Sequence, residues 1–266
     1  MKKLTLILSA LFMSSLTMAQ QEWAKKQLEE SPRHHEWVKV KYGDRVVESF
    51  LVYPEVSNKA TVVIVIHENR GLNDWARSIA DQIAGEGYIA IAPDLLTGSG
   101  PNGGKTSDFA SSDDARNAIY QLSQDQVTAD LKAIQNYAST LPAANGKVAV
   151  IGFCWGGSQS FRYATNQSDL QAAIVCYGRA PQEEQVFESI TAPVYGFYGG
   201  NDARVNATIE STTANMKAAG KHYEPVIYDG AGHGFIRSGE MPNAGAANKK
   251  GREEAWKRLK KILAAL

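Results

Sequence analysis

Two hydrophobic rhythms divide the chain. Residues 35–53, HEWVKVKYGDRVVESFLVY, alternate apolar and polar side chains on either side of Gly43 and Asp44, the pattern of a half-buried hairpin. From Thr61 onward the alternation gives way to short continuous apolar runs: TVVIVI, YIAIA, VAVIGF, AAIVCY, VYGFYG and PVIYDG. Strands buried on both faces read this way. The segments between them carry apolar stripes at helical spacing, on Trp75, Ile79 and Ile83, on Val127, Leu131, Ile134 and Tyr137, and on Trp256, Leu259, Ile262 and Leu263. This alternation predicts an α/β fold, a mostly parallel central sheet flanked by helices on both faces. In such sheets ligands bind at the carboxyl ends of the strands. Thr97 to Asp114, rich in Gly, Ser and Asp, reads as a long loop beside that edge. With no internal repeat or domain-sized linker, residues 35–266 are expected to form one domain, preceded by a polar segment over residues 20–34.

Composition narrows the ligand. The 266 residues hold 28 basic and 28 acidic side chains with no block of one sign, which argues against nucleic acid or an anionic membrane surface as partner. A small, neutral or modestly charged molecule fits better. The opening stretch, MKKLTLILSALFMSSLTMAQ, combines two lysines, an apolar run too short to span a bilayer and a small-residue end at Ala19. We expect a signal peptide over residues 1–19 and a soluble mature chain that is periplasmic or secreted. Two cysteines, Cys154 and Cys176, are too few for a disulfide framework in a chain of this length. Export would still expose both to oxidation, so a Cys154–Cys176 bridge competes with any reading that needs a free thiol.

GFCWGG, residues 152–157, follows the apolar run VAVIG and fits GxCxG, the thiol form of a nucleophile elbow in which a strand turns sharply into a helix. Gly152 and Gly156 would let strand and helix approach closely. A buried core cysteine is the competing reading, because free cysteine is among the most buried residue types. A catalytic thiol needs a base, and the base needs a group to orient it. Asp202, in GGND after VYGFYG, and His233, in AGHGF after PVIYDG, supply both at strand ends, in the chain order nucleophile, acid, base of α/β-hydrolases. Asp229 is the rival acid. The backbone N–H groups of Trp155 and Asn69 hold the positions of an oxyanion hole. This scheme needs no cofactor and no metal, and His34, His35 and His67 lack metal-ligand spacing. GSGPNGGKTS resembles a phosphate loop, but Ser99 stands where its first glycine should be.

Taken together, HENRGL at 67–72, APDLL at 92–96, GFCWGG at 152–157, GGND at 199–202 and AGHGFIR at 231–237 resemble the dienelactone hydrolase family. The resemblance implies an α/β-hydrolase fold from about residue 35 to the end and hydrolysis of a lactone or activated ester by a Cys-His-Asp triad. It also implies that Glu68 interacts with the resting cysteine, and that Arg237 and Arg116 hold a substrate carboxylate. A carboxylate near a thiol opposes thiolate formation, and the planar fork of arginine suits a carboxylate partner. A general carboxylesterase or thioesterase, and a catalytically inactive small-molecule binder of the same fold, are the alternatives. Oligomeric state is not legible from the sequence.

Overall fold

The computed structural model describes residues 22–266, so the expected signal peptide lies outside the described residues. Its strands are β1 (His35–Tyr42), β2 (Arg45–Val52), β3 (Ala60–Ile66), β4 (Ile89–Pro93), β5 (Ala144–Phe153), β6 (Leu170–Cys176), β7 (Val194–Gly199) and β8 (Tyr223–Tyr228). Helix α1 covers residues 22–29. It is followed by α2 (Asp74–Gly85), α3 (Ser112–Ile119), α4 (Gln124–Ser139), α5 (Trp155–Ala164), α6 (Ala203–Asn206), α7 (Ile209–Ala218), α8 (Phe235–Ser238) and α9 (Ala246–Ala264). All eight strands join one sheet in the order β1-β2-β4-β3-β5-β6-β7-β8. β1 and β2 form the expected antiparallel hairpin, with Gly43 at φ +50° in its turn, and β3 to β8 pair in parallel.

Period-two geometry explains why the central runs are continuously apolar. Along β3, Val62, Ile64 and Ile66 enter one core layer while Val63 and Val65 enter the other, so both faces need apolar side chains. The first layer is closed by α3, α4 and α5, through residues such as Ile119, Leu131 and Phe161. Helices α1, α2 and α9 close the second, through Leu28, Ile79 and Leu259. Helix α2 starts where Asn73 accepts a hydrogen bond from the Ala76 N–H at 3.0 Å, and α4 where Ser123 caps Gln126 at 3.1 Å. A buried carboxylate ties the N-terminal segment to α2. Asp81 accepts Arg33 through Nε at 2.8 Å and Nη2 at 2.5 Å, Ser31 Oγ at 2.6 Å, and pairs with His35 Nε2 at 2.8 Å.

The segment from Thr97 to Asp114 departs from its expected loop character. It holds two 3-10 turns, Pro101–Gly103 and Thr106–Asp108, and its last residues begin α3. Ser111 accepts from the Asp114 N–H at 3.1 Å, and Asp113 and Asp114 lie in the first turn, where carboxylates favour the positive helix end. The acidic, serine-rich composition therefore marks a helix start. Lys105 and Thr106 of the rejected phosphate loop have structural partners: Lys105 Nζ pairs with Glu48 at 2.5 Å, and Thr106 Oγ1 donates to Asp94 at 2.7 Å.

Candidate active site

The parallel strands deliver the chemistry-bearing residues to one edge. Glu68 follows β3, Asp94 follows β4, Cys154 follows β5, Tyr177 follows β6, Asp202 follows β7 and His233 follows β8. At the elbow, Cys154 adopts φ +55° and ψ −112°, a conformation that costs an L-residue about 1–3 kcal/mol. Its surroundings hold it there. A Cβ on Gly152 would collide with the Gly156 carbonyl, and one on Gly156 would collide with the carbonyls of Ile66 and His67. Helix α5 begins at Trp155, immediately after the cysteine. The strained turn lifts the Cys154 side chain out of the core to a half-buried position.

There the thiol meets the imidazole. His233 Nε2 lies 3.1 Å from Cys154 Sγ, and His233 Nδ1 lies 2.5 Å from Asp202 Oδ2. Asp202 is buried, whereas the rival Asp229 is exposed, so the carboxylate that meets the imidazole is the one chain order favours. Asn248 Oδ1 accepts the Gly232 N–H at 2.8 Å and fixes the histidine loop. Both cysteines are free thiols, with no bridge between them.

Glu68 sits behind this array in a buried position. Its carboxylate accepts Arg237 Nε at 2.9 Å and Tyr177 Oη at 3.2 Å, while the thiol bonds to His233. Glu68 nonetheless acts on the thiol through charge. Burial first, and the Glu68 charge second, push the Cys154 thiol up to about 11, against smaller opposing effects of the Trp155 N–H, Arg204 and Arg237. Beside Glu68, the Arg237 guanidinium is held more firmly in its charged form. Tyr177 is the residue that the sequence reading missed. Fully buried at φ +41°, it places its ring edge against His233 with centroids 5.1 Å apart. Its only sequence signal was an aromatic at the end of AAIVCY.

HENRGL forms the wall opposite the elbow. His67 is buried and stacks on the Trp155 ring, with centroids 5.6 Å apart and planes at 11°. Its Nδ1 donates to the Glu68 carbonyl at 2.8 Å, and its Nε2 accepts the Leu95 N–H at 3.4 Å. Burial lowers the His67 pKa and favours the neutral ring, against smaller opposing effects of Asp94 and the Glu68 carbonyl. Trp155 N–H points at Cys154, and among the described residues the Asn69 N–H donates to no backbone carbonyl. Burial raises the Asp94 carboxyl, which accepts Thr106 N–H at 3.0 Å and Leu96 N–H at 3.1 Å.

A cavity of about 700 Å³ opens beside the thiol site, and Glu68, Asn69 and Arg237 form their shared wall. Cys154 is not on that wall. Nor is Arg116, which lies exposed on α3 although its neighbour Ala115 lines the cavity. The expected second carboxylate-binding arginine is therefore absent from the site: on α3, position 115 faces in and position 116 faces solvent. Among the described residues no cluster of three or more His, Cys, Asp or Glu side chains could hold a metal ion.

A cysteine, histidine and aspartate in bonding contact on the carboxyl edge of a 1-2-4-3-5-6-7-8 sheet define the α/β-hydrolase fold class. Residues 47–266 match the sequence profile of the dienelactone hydrolase family, and the chain belongs to that family. It is accordingly a hydrolase of the carboxylic ester class. It is 31% identical over 210 residues, 74% of each chain, to an Escherichia coli K12 protein named "Putative carboxymethylenebutenolidase". A Saccharolobus solfataricus protein of the same name is 31% identical over 248 residues, 82% of this chain and 93% of the other. Among solved structures, "Putative Dienelactone Hydrolase" from Klebsiella pneumoniae superposes with a TM-score of 0.77, covering 88% of this chain and 99% of that one at 23% identity.

Proposed function

We propose that the chain hydrolyses a lactone or other activated carboxylic ester through a thioester on Cys154. The observation that carries this reading is the continuous contact from Asp202 through His233 to the Cys154 sulfur. Burial and the Glu68 charge push the Cys154 thiol up to about 11, so at pH 7 the resting sulfur is held mainly as thiol. Reaction begins when His233 Nε2 takes the thiol proton as sulfur bonds to the substrate carbonyl carbon. Asp202 holds the imidazole in the required orientation and stabilises its charge. The N–H groups of Trp155 and Asn69 receive the oxyanion. As the carbonyl re-forms, the carbon–oxygen bond of the ester breaks and the leaving oxygen takes the proton from His233. Water, deprotonated by the same imidazole, then attacks the thioester and releases the acid and the thiol.

Arg237 serves two partners in this scheme. Its Nε holds Glu68, and its Nη groups, without a protein acceptor among the described residues, suit a substrate carboxylate on the cavity wall. Export belongs to the same proposal and rests on Lys2, Lys3 and the apolar stretch ahead of Ala19.

A panel of enol lactones, aryl esters and thioesters tests the chemistry. Cys154→Ala and His233→Ala should each lose at least about a thousandfold in turnover. Variants that match the unsubstituted protein would remove the triad from the mechanism.

A further inference from the structure

We propose that the part of the cavity remote from Cys154 binds a flat aromatic ring carried by the substrate at a distance from the bond that is cut. This rests on the thiol-hydrolase reading above and gives it a substrate class: esters with a remote aryl group. The first observation is reach. Trp37 on β1 pairs with Phe50, which pairs with Ala92 next to the end of β4, so Trp37 stands on the carboxyl edge of the sheet with the triad. β1 is four strands from β5, about 19 Å at ~4.8 Å per strand. A cavity of about 700 Å³ that reaches this far is of the size that, at roughly 300–1,000 Å³, encloses a drug-sized molecule.

The second observation is what the remote wall offers. Trp23 of α1, Trp37 and Phe109 line the cavity, and Trp37 is 44% exposed, one of few large apolar side chains left in solvent among the described residues. Tyr120, 56% exposed, stands at the same edge with its hydroxyl accepting from Asn69 Nδ2 at 3.2 Å. The cations beside Trp37 already have partners: Arg77, 5.8 Å from its ring centroid, pairs with Asp74, and Lys105 pairs with Glu48. What Trp37 leaves for a ligand is therefore the rest of its aromatic surface.

The third observation is that the platform is set in advance. Lys105 Nζ, fixed by Glu48, sits 4.2 Å from the Trp37 ring centroid, and the Phe50 ring meets Trp37 edge-on at 5.7 Å. Trp37 thus has little rotamer freedom to lose when a ring packs on its remaining surface. Trp23 is brought to the cavity by α1, which is anchored through Leu28, Arg33 and Asp81.

Matched thioesters with and without a terminal phenyl ring test the subsite, with the ring on an eight-carbon acyl chain in one pair and on the leaving thiol in the other. In the unsubstituted protein, kcat/KM should favour the ringed member of at least one pair by about 3- to 10-fold. Trp37→Ala should abolish that preference and Trp37→Phe keep most of it, with unringed substrates changed less than about twofold. No ring preference in either pair, or equal losses on ringed and unringed substrates, overturns the proposal. A preference for a pyranose in place of phenyl would also overturn it. If no thioester is cleaved at all, the thiol-hydrolase reading fails separately. Binding of 8-phenyloctanoate, followed by tryptophan fluorescence, then decides the subsite: weaker binding in Trp37→Ala supports it, and no binding to the unsubstituted protein refutes it.

Discussion

Cys154 and Cys176 stand at the ends of neighbouring strands, joined by a 3.0 Å hydrogen bond from the Cys154 N–H to the Cys176 carbonyl, yet their surroundings differ throughout. Cys176 closes β6 in regular geometry and points into the core among Phe153, Phe197 and Leu259, where burial pushes its thiol far up. Cys154 lies one residue beyond β5, at φ +55°, and faces His233. One strained residue and the glycines that permit it separate a core filler from the proposed nucleophile. Burial alone would silence both thiols. What sets Cys154 apart is an imidazole nitrogen at 3.1 Å and an adjacent Trp155 N–H.

Alkylation is the strongest way to break this contrast. Iodoacetamide applied to the folded protein should label Cys154 and leave Cys176 unmodified until the chain is unfolded, as peptide mapping will read. Equal labelling of the two would mean that the elbow confers no accessibility. A finer probe is Glu68→Gln. The carboxylate raises the Cys154 thiol, so its neutralisation should move the alkylation profile toward lower pH and speed labelling at pH 7. Because burial is the larger cause, the profile should stay above that of an ordinary thiol. A profile that moves upward, or not at all, would deny Glu68 its restraining role. The smallest effect is expected at Cys176→Ala, which should keep turnover within about twofold while lowering stability by ~1–2 kcal/mol through lost packing, measured by denaturant unfolding.

The same contrast explains what could be read in advance. Strands and the elbow were legible because steric rules act locally: two buried faces demand runs such as TVVIVI, and side chains are excluded at Gly152, where β5 meets α5, and at Gly156, where α5 meets the end of β3. Asp202 and His233 followed from strand-end placement. Chain order favoured Asp202 over Asp229, because it lies on the loop after the preceding strand, and the structure adds that Asp202 is buried while Asp229 is exposed. Arg116 failed because a helical register, one position away from Ala115, decides which side chain faces the cavity.

Tyr177 and the α1 wall were invisible for a different cause. Tyr177 looks like the last apolar residue of a buried strand, and its bond to Glu68 joins positions 109 residues apart. Trp23 comes from a polar N-terminal stretch whose helix is fixed by contacts with α2 rather than by its own pattern, since eight residues are too few to hold a helix alone. Loop character over Thr97 to Asp114 was overestimated because serine and aspartate serve turns and helix caps alike.

In the proposed mechanism Cys154 carries the acyl group. Mixing the protein with an activated ester, quenching in acid within the first turnovers and mapping the peptides by mass spectrometry tests it directly. The acyl mass should appear on the peptide containing Cys154, be discharged by hydroxylamine and be missing in Cys154→Ala. An acyl group on any other residue, or full turnover in Cys154→Ala, would contradict it.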